Sequence, residues 1–283
     1  MENKKGSLEG PPSKRPRSEQ IEIPLCVLYL FLTKLNSYEL GLVDIIWLMV
    51  NSCTIDDVGK IIEGKYQNSK TLFGRLIIQR SVTSIGDYAF CGCIGLTYVI
   101  IPSSVSSIED GAFLGCSGLI SVVIPSSVMS IGEYAFYGCY GLTYVAIPDS
   151  VMSIGEFAFD GCSGLTSVTF LEGITTIGYG AFYKCSGLTS VMIPDSVTYI
   201  GGCAFSDCHG LTSVTIPEGI TTIGSCAFSE CSGLTSVTIP SSVTSIGKYA
   251  FDNCSGLIYV SIPSTLTDIG KDAFPEGCRI DKR

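Results

Sequence analysis

The sequence predicts a β-rich repeat solenoid of about nine 23-residue coils with a short N-terminal helical cap. Three observations predict it. An Ala-Phe pair recurs at a constant step, from Ala89-Phe90 through Ala112-Phe113 and Ala135-Phe136 to Ala273-Phe274, nine copies without a slip. A Cys follows each Phe by three residues, from Cys93 to Cys254, and only the last copy delays it by one, to Cys278. Between these marks runs G-L-T-S-V-T-I-P-S-S-V-T-S-I-G with small variation, as in Gly233 to Gly247. A fixed period of this length means stacked coils, because one coil cannot bury its apolar side and neighbours bury it continuously.

Within a coil, Leu234, Val237 and Ile239 have the spacing of a half-buried strand, with Val237 and Ile239 inward and Ser236 and Thr238 outward. Pro240 ends that strand, Val243 and Ile246 supply a second short apolar pair, and Gly247 opens the turn into the Ala-Phe segment. Nine coils at the usual strand spacing make a rod of roughly 40 Å. Phe73, Leu76 and Ile78 lie one full period before Leu96, Val99 and Ile101, so a strand half-coil precedes the first Ala-Phe copy. Pro275, the delayed Cys278 and the charged Arg279, Asp281, Lys282 and Arg283 close the other end.

The recurring I-G-x-x-A-F-x-x-C-x-x-L-x-x-V-x-I-P unit resembles the BspA-like branch of the leucine-rich repeat superfamily, over residues 72 to 278 or so. Glu109 in place of the Gly after Ile108, and Phe170-Leu171 in place of one Ile-Pro, are the departures. The resemblance implies a curved solenoid that binds other proteins on its surface. Some members of that branch are surface adhesins, an alternative role.

Fourteen Cys invite a disulfide or zinc reading, and their spacing argues against both. Eight form a ladder of one per coil, and groups in a line cannot converge tetrahedrally on a metal, so these read as buried reduced thiols. Cys203 and Cys226 instead both precede Ala in adjacent coils, which makes them disulfide-competent; a cell interior would keep them reduced. No metal and no cofactor is expected.

Residues 1–20 are polar and carry Lys4, Lys5, Lys14, Arg15 and Arg17, the pattern of a disordered basic tail. Pro11 to Arg17 resembles a short nuclear-import signal. Residues 21–70 read as helices: Val27, Leu28, Phe31, Leu32 and Leu35 share a helical face, Leu40 to Val50 is a second apolar segment, and Asp56, Asp57 and Gly64 bound a third. Two roles remain open for them, a cap over the first coil or an F-box. Ile23-Pro24, Val27-Leu28, Phe31-Leu32, Leu35, Glu39-Leu40 and Trp47 resemble the F-box pattern, although Leu25 and Cys26 stand where it has acidic residues. That resemblance implies docking on a ubiquitin-ligase adaptor through residues 23–50, with the repeats of residues 71–283 selecting substrates.

Charge and composition exclude further classes. At 46% hydrophobic and 15% charged the chain is not an acidic disordered tail. From 81 to 278 there are 3 Lys or Arg against 16 Asp or Glu, which disfavours binding to a nucleic-acid backbone. Apolar stretches are broken by Lys34, Glu39 and Asp44 before reaching membrane-span length, and no positive n-region precedes Leu25 to Leu32. The expected location is therefore intracellular, cytoplasmic or nuclear, with no membrane or nucleic-acid partner and a monomeric chain.

The single His209 rules out chemistry that needs two imidazoles. A hydrolase built on it is the enzyme alternative, and no nucleophile and acid can be placed beside it, so no catalytic residue is expected. The first outward strand positions are apolar and aromatic, the later ones mostly hydroxyl. Ile77, Tyr98, Ile100, Tyr144 and Ala146 are accordingly the expected contact patch for a protein partner.

Overall fold

Stacked coils need each backbone edge to meet its copy in the next coil, and the chain satisfies this along three separate lines. The computed structural model describes residues 52–55, 59–61 and 74–283. Two of the lines are parallel sheets. The first takes one strand per coil, beginning β1 (Ser52–Ile55), β3 (Gly74–Ile78), β5 (Leu96–Ile100), β7 (Ser121–Val123), β9 (Tyr144–Ile147), β11 (Ser167–Phe170), β13 (Ser190–Met192) and β15 (Ser213–Thr215). It resumes as a three-stranded ladder of β17 (Ser236–Thr238), β19 (Tyr259–Ile262) and β21 (Arg279–Lys282). The second sheet takes the other apolar pair of each coil, ten strands from β2 (Gly59–Ile61) to β20 (Asp268–Ile269). Partners are one period apart in the chain, as in Val168 opposite Val145 and Ile177 opposite Ile154.

The third line runs through the Ala-Phe turns. Each Phe N–H donates to the Ala carbonyl one coil on, Phe136 to Ala158 at 2.7 Å and Phe182 to Ala204 at 2.8 Å. Ala suits this position because successive backbones approach closely there. The Phe rings point inward and stack face to face from Phe90 to Phe274, with centroids 5.1 to 5.6 Å apart. From Phe90 to Phe251 these rings are fully buried, among inward Leu, Val and Ile of both sheets.

The Cys ladder is part of this core. From Cys116 to Cys254 each ladder thiol donates to the carbonyl of a Phe 26 residues earlier, for example Cys139 to Phe113 at 3.3 Å and Cys185 to Phe159 at 3.2 Å. The same Phe159 carbonyl also accepts the Cys162 N–H, so both of its lone pairs are used. Burial pushes the Cys139 and Cys185 thiols well above their ordinary range, which keeps them protonated and inert. We expect Cys185→Ala to cost about 1–2 kcal/mol in a denaturant titration, combining a small cavity with one lost hydrogen bond. Cys203 and Cys226 are free and half-buried in neighbouring coils, and the Cys226 thiol is raised by burial and then by Cys203 beside it.

Hydroxyls tie the coils at the surface. Thr166 Oγ1 donates to the Thr143 carbonyl at 3.0 Å, Thr212 Oγ1 to Thr189 at 3.0 Å, and Ser127 Oγ to Val105 at 2.6 Å. The Thr143 and Thr189 carbonyls also accept the backbone N–H of Thr166 and Thr212, so the hydroxyl fills their second lone pair.

Both ends of the stack differ from the repeat. Where Asp56 and Asp57 read as a helix start, strands β1 and β2 stand on either side, paired with β3 and with β4 (Val82–Ile85). An open strand edge at β3 offers a full ladder of partners, which outweighs local helix signals. The ladder thus begins about one coil before residue 71, in a stretch without Ala-Phe or Cys landmarks. At the C-terminus the step from β19 to β21 is shorter than the period, Tyr259 pairing with Arg279, and Arg279 and Asp281 form a 3.1 Å ion pair on the exposed last edge. The basic tail of residues 1–20 and the cap or F-box segment of residues 23–50 lie outside the described residues. No helix among the described residues is long and apolar enough to cross a membrane.

Candidate protein-binding face

Alternation along the first sheet turns every second side chain outward, and stacking sets those side chains in rows across coils. One row runs Tyr98, Ser121, Tyr144, Ser167, in direct register. A second runs Ile100, Val123 on one strand pair and Ala146, Thr169 on the next. Tyr98, Val123 and Tyr144 are 40%, 48% and 46% exposed, large fractions for such side chains, while Ile100 and Ala146 are half-buried.

Ile77 does not join them. It is buried at 3% exposure, contrary to the outward position its alternation predicts. Its strand is not the edge of the sheet: β1 sets Thr54 opposite Ile77 on one side and β5 sets Ile100 on the other. The register shift between Gly74 and Arg75 lies before it, so Ile77 stays in line with Ile100, yet Leu76, Ile77 and Ile78 are buried in succession.

The structure adds Val123 and Met192, the latter 74% exposed among hydroxyl-bearing neighbours. It also adds a cleft of about 470 Å³ lined by Thr169, Phe170, Glu172, Met192, Thr215 and Pro217 among others. Phe170, which stands where most coils have Ile, is part of that lining. The Phe170 ring stands edge-on to Phe182, 5.8 Å away at 86°, inside the core. Strand β11 keeps four register pairs with β9 and Ser167 alone with Ser190 on β13, as β7 keeps Ser121 alone with Tyr144 on β9.

The turn edge carries His209 and several carboxylates. His209 Nδ1 lies 2.7 Å from the Glu230 carbonyl, and Nε2 lies 3.8 Å from Asp207. Among the described residues no hydroxyl or thiol hydrogen-bonds the imidazole, so no nucleophile is poised for it to activate. No group of three His, Cys, Asp or Glu among the described residues is arranged to hold a metal.

Asp160 on that edge is 8% exposed. Burial raises its carboxyl to about 6, opposed by Lys184 and helped by Asp207. Its charge in turn is the main cause that raises the Tyr137 phenol. A carboxyl raised by folding favours the fold where it is protonated, fully below its unfolded value of about 4 and not once the pH passes about 6. We therefore expect Asp160→Asn to raise stability at pH 7.5 by of order 1 kcal/mol, after allowance for solvent screening. The gain should vanish at pH 4 in parallel urea titrations, and an equal gain at both values would remove the carboxylate as its source.

The fold has known relatives. A family description, BspA type leucine rich repeat region, matches residues 60–189 and 175–282 in 6 copies. A leucine-rich repeat protein from Bacteroides ovatus is similar in structure, with a TM-score of 0.66 and 26% identity over 82% of this chain and 71% of that one. The T. pallidum leucine-rich repeat protein has a TM-score of 0.55 and 34% identity over 56% of this chain and 77% of that one. No curated protein sequence matches. With the regular coil, the inward Phe and Cys ladders and these matches together, the chain belongs to the BspA-type leucine-rich repeat family.

Proposed function

We propose that this chain is a non-catalytic interaction scaffold that binds a protein partner on the strand face, centred on Tyr98, Ile100, Tyr144 and Ala146. The observation that carries the reading is the cluster of outward apolar and aromatic side chains on three successive strands of an otherwise hydroxyl-rich sheet: Tyr98 and Ile100, then Val123, then Tyr144 and Ala146. Exposed aromatics held by a rigid backbone lose little entropy on docking and bury much area. Val123 replaces the buried Ile77 in the patch.

The test is proximity capture in cells with the full chain, the double variant Tyr98→Ser/Tyr144→Ser, and Tyr259→Ser as a comparison. Tyr259 occupies the equivalent outward row at the far end and is 38% exposed. The reading expects a set of partners lost about tenfold or more with the double variant and retained with Tyr259→Ser. Equal recovery by all three proteins would refute the strand-face assignment.

Residues 23–50 keep their proposed docking role toward a ubiquitin-ligase adaptor, which the same capture addresses. Leu28→Asp/Phe31→Asp should abolish adaptor recovery if these residues dock as an F-box does. An intracellular location accords with free, protonated ladder thiols. Labelling intact cells with a membrane-impermeant reagent separates it from the adhesin alternative, since only a surface protein would be labelled.

A further inference from the structure

The turn edge holds a second concavity, away from the strand face, of about 460 Å³. Its origin is a change along one row of the stack. The residue before each ladder Cys adopts a left-handed backbone, and in the first coils it is Gly, including Gly138 at φ 68 and Gly161 at φ 72. From the next coil the same position bears a side chain, Lys184 at φ 57 and Asp207 at φ 60. Two bare glycines thus form a floor that ends at a step. The Tyr140 ring lies against that floor: a Cβ on Gly138 or Gly161 would come within 3.8 or 3.6 Å of it. Tyr137 lines the cleft beside it.

Asp160 lines this cleft from between the two coils. It is more than nine-tenths buried, and no hydrogen bond or ion pair reaches its carboxylate from the described residues. Lys184 is not its partner, because its ammonium lies 4.8 Å over the Tyr183 ring. With no donor from the described residues and neither oxygen sealed from solvent, its carboxylate opens onto the cleft, where a donor on a ligand can reach it. The surroundings select the ligand. Lys184 and His209 also line the cleft, but two carboxylates, Asp160 and Asp207, outnumber the one ammonium, and that ammonium rests over the Tyr183 ring. With the Tyr137 and Tyr140 faces and the net negative repeat, the balance favours a cation with N–H donors.

We propose that this cleft binds a guanidinium or alkylammonium group, which donates to the Asp160 carboxylate and rests against the Tyr137 and Tyr140 rings. The group can come from a basic side chain of a protein or from a free polyamine. The site is independent of the strand-face reading and stands if that reading fails.

The experiment measures polarisation of a fluorescein-labelled peptide of four arginines spaced by Gly-Ser, titrated with the full chain. Agmatine, spermidine and the neutral sugar maltotriose serve as competitors. Asp160→Asn should weaken peptide binding about tenfold or more, and Tyr140→Ser should weaken it also. Asp149→Asn, an exposed carboxylate outside the cleft, should change it less than about twofold. Asp160→Asn is expected to fold, and its urea midpoint at pH 7.5 verifies this in the same samples.

Competition by agmatine or spermidine at concentrations near those of the peptide's own arginines supports the site with a free amine as its source. Peptide binding that resists them supports a protein side chain. Equal weakening by Asp160→Asn and Asp149→Asn would reduce the effect to diffuse attraction by an acidic surface and overturn the proposal. So would displacement by maltotriose that Asp160→Asn leaves unchanged, or absence of binding by every cation tried.

Discussion

Phe159→Ala is expected to lower the free energy of unfolding by about 3–5 kcal/mol, the largest effect of any single side-chain truncation in the stack. Phe159 is fully buried, with Phe136 5.1 Å away on one side and Phe182 5.2 Å away on the other, all three rings nearly parallel. Truncation removes two ring contacts and leaves a hole that the neighbours cannot fill. The Ala-Phe backbone ladder, Phe159 N–H to the Ala181 carbonyl at 2.8 Å, holds the adjoining coils at fixed spacing and prevents collapse. Because a solenoid's stability is a sum over neighbouring coils, the damage should also appear as a split transition, with coils on one side melting first. Ser190→Ala, on the exposed side of β13, should cost less than about 0.5 kcal/mol. Urea titrations that gave both variants the same midpoint would show that the ring column is not the core.

Gly187→Ala should cost about 2 kcal/mol or more, although it adds one methyl group. The reason is space: a Cβ there would sit 2.5 Å from the Ser163 carbonyl oxygen and 3.2 Å from that of Leu165. Both neighbours are backbone, so relief requires the coils to separate. The same contact recurs along the stack, at 2.4 Å between Gly164 and the Tyr140 carbonyl and at 2.5 Å between Gly210 and that of Ser186. Gly115→Ala provides the contrast. Its Cβ would meet nothing nearer than 3.9 Å, and its cost is the left-handed backbone alone, φ 69, about 1 kcal/mol. Lys184, Asp207, Glu230 and Asn253 already stand in that conformation at equivalent positions, which shows that the fold tolerates it. Calorimetric melting temperatures should therefore order wild type, Gly115→Ala and Gly187→Ala from high to low, and a reversed order of the two variants would refute the steric argument.

The fold was legible in the sequence because every coil repeats the same demands. Ala-Phe at a constant step can be satisfied only if each Phe lies over its predecessor, and Val237 and Ile239 alternate with Ser236 and Thr238 only if one side is buried. The Cys ladder was legible as buried thiols for the same reason, though not its bonds to Phe carbonyls, which depend on the path of the neighbouring coil. Reading failed where the repeat did. Strands β1 and β2 carry no landmark pair, and they form because an open sheet edge lies next to them. Ile77 keeps the outward register of Ile100 and is buried nonetheless, a difference between the two coils that the repeat pattern does not carry.

The sites divide in the same way. Tyr98 and Tyr144 could be set on one outward row by counting, and their exposure follows from the pleat. The concavity beside Met192 could not, because it depends on how Phe170, Glu172, Met192 and Thr215 of adjacent coils are set against one another. Asp160 gives no signal in the sequence, where it is one acid among many. Its burial, its missing donor and the bare glycines beside it come from placing Gly138, Gly161 and Lys184 in consecutive layers. The sequence by itself determined the period, the inward ladders and the acidic surface, because those are properties each coil states alone. The tertiary structure decided where the stack begins, which outward residues stay exposed and where its surface is concave, because those depend on differences between neighbouring coils that only stacking brings into contact.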